Sequence, residues 1–279
     1  MRARRAVATL ALLAGPILTA CSSPPPAPAR QPAVVETSVS TTYYLVRGET
    51  TAAIFAAIDA NGLAATSGQR AVGMTSADWK LTSGDVNAAA VPCVFPSLTI
   101  ALNLTVMLPR HEAPDAMPAD LRDRWERFVT RVAAHEQRHV DIYLEGAKAM
   151  KARLEALRTA VSCADLEKTI DAEWRAQQAD IERAQTEFHA ADETTARSER
   201  EGVQARLDGT RAQIEPVAAE IRRLDTELGE LRRQVDGGRA DLVAQHDALA
   251  ARRRALAEEY NRLGADVNGL IDALNWARW

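Results

Sequence analysis

Aromatic residues make up only 5% of the 279-residue chain, while Ala, Leu, Arg and Glu fill its second half, so long helices are expected there. A strong charge of one sign is also missing. The formal net charge is -4, and without a global basic field nucleic acid is discarded as a partner. The apolar stretch over residues 6–18 falls short of the roughly 20 residues a membrane-spanning helix needs. Cysteine is scarce as well: there are three, Cys21, Cys93 and Cys163.

What is present at the N-terminus is a pattern of export. Arg2, Arg4 and Arg5 precede the short apolar stretch, and Thr19-Ala20-Cys21 supplies a small-residue cleavage site. Leu18-Thr19-Ala20-Cys21 matches a lipobox, in which cleavage leaves Cys21 as the first mature residue, carrying lipid. An ordinary secretion signal ending near a cysteine is the alternative. Acylation would hold the protein on a membrane. Ser22 after the cysteine favours the periplasmic face of the outer membrane in a Gram-negative cell. In such a compartment Cys93 and Cys163 pair by simple arithmetic, two buried free thiols being the other reading.

The chain divides into four expected segments: a lipoprotein signal peptide (1–21), a Pro-rich tether (22–40), an α+β domain (41–203) and a C-terminal helical hairpin (204–279). Pro24, Pro25, Pro26, Pro28 and Pro32 make the tether extended. Tyr43 to Val46 reads as a strand, residues 52–58 as a helix, and 72–75 and 79–81 as further strand. Leu98, Ile100, Leu102, Leu104 and Val106 alternate with period two, so residues 94–108 are a strand ending at Pro109.

After Pro118 the period becomes helical through Leu121, Trp125, Phe128 and Val132 to Met150 and Leu154. A further helix is expected to start near Ser162, capped by its hydroxyl with Asp165 and Glu167 near the positive end of the helix dipole, and to end about Phe188. Ile214, Val217, Ile221, Leu224, Leu228, Leu231 and Val235 then alternate spacings of three and four, as a coiled-coil seam does. Asp236-Gly237-Gly238 breaks that seam. A second run through Leu242, Leu249, Leu256, Leu263 and Leu270 either folds back on the first or joins a partner chain.

The chemistry lies in His135-Glu136-Gln137-Arg138-His139, an HExxH motif. On a helix, residues four apart share a face, so His135 and His139 can direct their imidazoles at one ion. Zn2+ suits imidazole nitrogen and takes three protein ligands in a catalytic site. Glu136 is placed as general base for attack of water on a peptide carbonyl. The bland reading is a solvated helix face. The third ligand is not obvious, since the HExxHxxGxxH continuation is missing: Ile142 and Glu145 occupy those positions, and Glu145 points away. Candidates downstream are His189, Asp192, Glu193 and Glu199. His189 has the most suitable chemistry, an exposed imidazole at a helix end being its alternative. Asp141 is a candidate to orient a ligand histidine, with a solvated face the plainer reading. His111 and His246 read as surface or seam residues.

Several short motifs between residues 43 and 203 together resemble a bacterial family of unknown function (domain of unknown function 922), described as predicted secreted zinc-dependent proteases. They are Tyr43-Tyr44-Leu45-Val46 with Gly48 and Thr50, Gly73-Met74-Thr75 followed by Trp79, Cys93 before a strand ending Leu108-Pro109, Trp125 ahead of the HExxH, and Ser162-Cys163. The resemblance implies a Cys93–Cys163 disulfide, metal on His135 and His139, and Glu136 as catalytic residue. Downstream the family carries Asp, Thr, His-Gly and Gly-Ala, matched here by Asp192, Thr195, Arg197-Ser198 and Gly202-Val203. Arg197 cannot replace a histidine ligand because a guanidinium offers no lone pair.

The expectation is a zincin-like metallopeptidase domain with Glu136 as catalytic residue, Zn2+ on His135, His139 and His189, a lipid anchor on Cys21 and a coiled-coil hairpin. Its partners are a peptide or protein substrate in the cell envelope, the membrane, and a protein or second copy along the hairpin. The rival is a catalytically inert lipoprotein of the same fold that works as a scaffold through its coiled coil.

Overall fold

The computed structural model describes residues 32–64, 70–84, 92–95, 97–157 and 162–277. The expected signal peptide, Cys21 and residues 22–31 of the expected tether lie outside them. A three-stranded sheet runs in the order β1 (Val34–Val46), β5 (Leu98–His111), β4 (Met74–Ser83). Between them come α1 (Thr51–Asn61) and a two-residue pairing of β2 (Leu63–Ala64) with β3 (Arg70–Ala71). Strand β5 is central, parallel to β1 and antiparallel to β4. Its alternation is the one the sequence shows: Leu98, Ile100, Leu102, Leu104, Val106 and Leu108 are buried under α2 (Ala119–Ala156). On the opposite face Ser38 bonds Asn103 and Ser40 contacts Thr105.

Three boundaries differ from expectation. The tether was expected to reach residue 40, but β1 begins at Val34, because seven more residues find hydrogen-bonding partners along β5, from Val34 opposite Thr99 to Ser40 opposite Thr105. Strand β5 does not stop at Pro109. Its pairing with β4 ends at Met107, so beyond that point it has β1 on one side only and tolerates a residue without an N–H. The helix expected to end near Phe188 instead continues as α3 (Cys163–Asp236), 74 residues long. The polar run from residue 189 to 206 lacks apolar periodicity but contains no proline, and local contacts such as Arg197 to Glu193 support it. The boundary drawn at residue 203 therefore falls inside a continuous helix.

The start of α3 is as read: Ser162 is its N-cap and its hydroxyl accepts from the Asp165 N–H. Its end at Gly237 is also as read, and α4 (Val243–Trp276) returns antiparallel along α3. Arg252 pairs with Glu220 and Arg253 with Asp225 across the two helices, while Leu207, Leu224, Leu231 and Leu263 are buried between them. The return has a consequence for the core. Trp276, the last residue of α4, is buried against Phe55 and Phe128, with ring centroids 4.9 and 5.3 Å away. Arg131 donates to the Trp276 carbonyl, and Asp272 takes Arg124 and Thr51. The C-terminal segment is thus part of the same core as the sheet, not a separate appendage. No helix among the described residues is long and apolar enough to cross a membrane.

Candidate metal centre

Helix α2 lies on the sheet and faces α3 on its other side. Two features set the register of that helix pair. The Cys93–Cys163 disulfide ties the first residue of α3 to the segment before β5, pairing the two cysteines as expected. Farther along, Gly146 on α2 receives Ile181 of α3 so closely that a β-carbon there would sit 2.5 Å from the isoleucine side chain. Between these points Arg153 of α2 bridges Glu173 and Asp180 of α3.

That register brings Gln185, His189 and Asp192 of α3, one helical stripe with spacings of four and three, over His135 and His139 of α2. Ligand nitrogens of His135, His139 and His189 all lie within 4.8 Å of one another, so the three can serve one metal ion. His139 is buried, His135 half-buried and His189 exposed. The Nε2 atoms of His135 and His139 face each other at 3.1 Å. Their Nδ1 atoms point away, to Asp192 Oδ2 at 3.0 Å for His135 and to Gln185 Oε1 for His139. Phe188 packs against both rings, with centroids 4.8 and 5.0 Å away.

The tautomers follow from the partners. A carboxylate accepts only, and the Gln185 oxygen accepts while its nitrogen donates toward the His139 carbonyl at 3.5 Å. Both rings therefore carry hydrogen on Nδ1, and with both rings neutral two Nε2 lone pairs face one another. Burial lowers the His139 pKa, opposed by Gln185; burial and then the neighbouring imidazoles lower that of His189. Both shifts favour the neutral, lone-pair-bearing form.

Glu136 turns toward the sheet. Thr75 of β4 donates to its Oε2 at 2.8 Å, and a β-carbon added at Gly73 would sit only 2.6 Å from its Oε1. Glycine at 73 is what makes room for the carboxylate. Tyr44 of β1 donates to the Val72 carbonyl, steadying the chain just before Gly73. Burial raises the Glu136 pKa, while Thr75, then His135 and His189, pull it down.

The other sequence candidates go elsewhere. Glu193 pairs with Arg197, and Glu145 with Arg138. Glu199 is exposed and outside the histidine group. Asp141 accepts from Gln137 one turn earlier on its own helix, so it orients no histidine. Asp192 joins the site behind His135 rather than among the three converging histidines. His246 lies half-buried beside Asp247. His111 corrects the surface reading: it is buried, its Nε2 on the Gly48 carbonyl and its Nδ1 accepting from the Ala113 N–H, because it closes the turn after β5.

Gln185, Thr75 and Phe188 were missed as site residues. Gly73-Met74-Thr75 is visible as a motif, yet its role appears only when β4 meets α2. Gln185 had a signal in principle, its spacing of four and seven from His189 and Asp192, but only for a helix continued past Phe188.

No curated protein and no solved structure matches the chain. Residues 41–196, a span that holds β4, β5, the second half of β1, α2, the three histidines, Gln185 and Asp192, match the model of the family described as bacterial protein of unknown function (DUF922), and to that family the chain belongs.

Proposed function

We propose that this protein is an exported, lipid-anchored, zinc-dependent metallopeptidase, with His135, His139 and His189 as metal ligands and Glu136 as general base. One observation carries the reading: two imidazoles whose Nδ1 positions are taken by acceptors turn their Nε2 atoms to each other at 3.1 Å, lone pair to lone pair when both are neutral. Facing lone pairs repel, and a cation between them removes the repulsion. Two nitrogens on one tetrahedral Zn2+ stand roughly 3.3 Å apart, close to the spacing found. His189, exposed, brings a third ligand nitrogen within 4.8 Å of the other two.

Zinc, when bound, supplies Lewis acidity toward a carbonyl and toward a water. Glu136 takes a proton from the attacking water as its oxygen bonds to the peptide carbon, and delivers that proton to the nitrogen as the C–N bond breaks. Burial serves this role, because a carboxylate raised toward neutral pH is a stronger base. Thr75 and the space over Gly73 hold the carboxylate in place.

Within this reading the domain is zincin-like, α3 and α4 form a coiled-coil hairpin available to a protein partner or a second copy, and lipid on Cys21 holds the protein at the periplasmic face of the outer membrane. The substrate is a peptide or protein of the cell envelope. The inert-scaffold alternative would be favoured by Glu136 held in a salt bridge and no third ligand within reach. Among the described residues Glu136 makes no salt bridge, and His189 is at hand, which supports the enzyme.

The test is metal content of protein purified without chelator. About one zinc per chain is expected, lost in His139→Ala and His189→Ala. Glu136→Gln is expected to keep the metal and lose peptide hydrolysis by roughly 10²–10⁴-fold. Metal-free wild type that takes up no zinc on addition overturns the reading.

A further inference from the structure

We propose that Gln185 and Asp192 are positioning residues of the metal centre, holding His139 and His135 from behind so that their Nε2 atoms converge. The inference rests on the metal-site reading above and goes beyond it by assigning the site's affinity to a stripe of α3. An imidazole can offer either nitrogen to a metal, and a free ring samples both tautomers and several rotamers. Here each Nδ1–H is used. Gln185 brackets His139, its Oε1 accepting from the ring and its Nε2 directed at the same residue's carbonyl. Asp192 accepts from His135 at 3.0 Å.

The two partners differ in a way that follows burial. His139 is buried, and the neutral amide of Gln185 satisfies it without bringing a second charge out of water. His135 lies nearer the rim, where Asp192, half exposed, stays solvated. Because Gln185, His189 and Asp192 sit on one face of a continuous helix, the two acceptors and the third ligand move together. The centre is therefore formed when α3 is seated on α2, and removing an acceptor releases a ring without touching a ligand. Residues in this position are worth about 10- to 100-fold in metal affinity.

The experiment is a competition titration of full-length, metal-free protein with Zn2+ against a chromophoric chelator, and with Co2+ followed by its visible spectrum. The variants are Gln185→Ala, Gln185→Glu, Asp192→Ala and Asp192→Asn. Each alanine variant is expected to weaken binding by about 10- to 100-fold. Gln185→Glu and Asp192→Asn keep an acceptor oxygen and are expected to recover most of the loss. The tetrahedral Co2+ spectrum should persist in all four variants, with the metal-free melting temperature near that of wild type in all but Gln185→Glu, which brings a carboxylate into the part-buried site.

Alanine variants that bind as tightly as wild type overturn the proposal while leaving the metal site intact. Conservative variants as weak as the alanines, with the metal-free protein destabilised to match, also overturn it by showing a merely structural role. A Co2+ spectrum that changes coordination in Asp192→Ala makes Asp192 a ligand instead. Wild type that binds neither metal overturns the metal-site reading, and this inference with it.

Discussion

Gly146 of α2 lies so close to Ile181 of α3 that no side chain fits between them. Ile181 stands one turn before Gln185, and Gly146 two turns after His139, so this contact sets the distance between the two halves of the candidate metal centre. Gly146→Ala is expected to cost about 1–3 kcal/mol by overpacking. It should also weaken metal binding although no ligand is altered. Denaturant unfolding of the metal-free variant, paired with a zinc titration, checks both. Unchanged stability would mean that the helices separate freely there.

Gly73→Ala separates the role proposed for Glu136 from that proposed for the histidines. A methyl at 73 meets the Glu136 carboxylate and the Val132 side chain, so the carboxylate must move. On the proposed reading, zinc content should stay near wild type while peptide hydrolysis falls by at least tenfold. Thr75→Val, which removes the hydroxyl on Oε2, should act in the same direction and more mildly.

The disulfide closes a sequence separation of 70 residues, for which loop-closure entropy gives about 4 kcal/mol. Reduction, or Cys93→Ser with Cys163→Ser, should lower the melting temperature and loosen the start of α3. Hydrogen exchange is expected to rise first there, at residues 163–170, before reaching the histidines.

Trp276 tests whether the C-terminal helix belongs to the domain. Trp276→Ala removes a buried ring from contact with Phe55 and Phe128 and should cost about 3–5 kcal/mol. A separate appendage would leave the unfolding midpoint of the domain unmoved.

Acid sensitivity has a worked sign. Burial depresses the His139 pKa, so the unfolded chain takes up this proton at a higher pH than the folded one. Stability of the metal-free protein therefore falls as pH drops from the ordinary histidine range, about 6.5, to the depressed folded value, and the loss stops below it. In His139→Gln that slope should be shallower; an identical slope would mean that other groups produce it.

Local rules made much of this legible. The alternation of β5, the stripe of α2, the Ser162 cap and the break at Gly237 each involve residues within a turn or a few strand positions of one another, so the chain's own geometry specifies them. His135 and His139 belong to the same class, since four residues on a helix always share a face. The cysteine pairing was legible for another reason, that only two cysteines remained.

The rest was decided by contacts that no local rule reaches. Gln185 meets His139 across 46 residues, Asp192 meets His135 across 57, and Thr75 meets Glu136 across 61. His189 reads equally well as a ligand or as a solvated helix residue until the register of α3 on α2 is known. That register comes from a bare α-carbon at Gly146, a disulfide and an Arg153 bridge. The length of α3 was hidden for a related reason: its polar middle has no apolar stripe, and the chain continues helical because no residue there breaks it and α4 returns along it. The sequence by itself thus determined the two helical histidines, their glutamate and the elements that bear them. Only the tertiary structure decided which residues stand behind and opposite them, because packing between distant helices, rather than spacing along one, places those atoms.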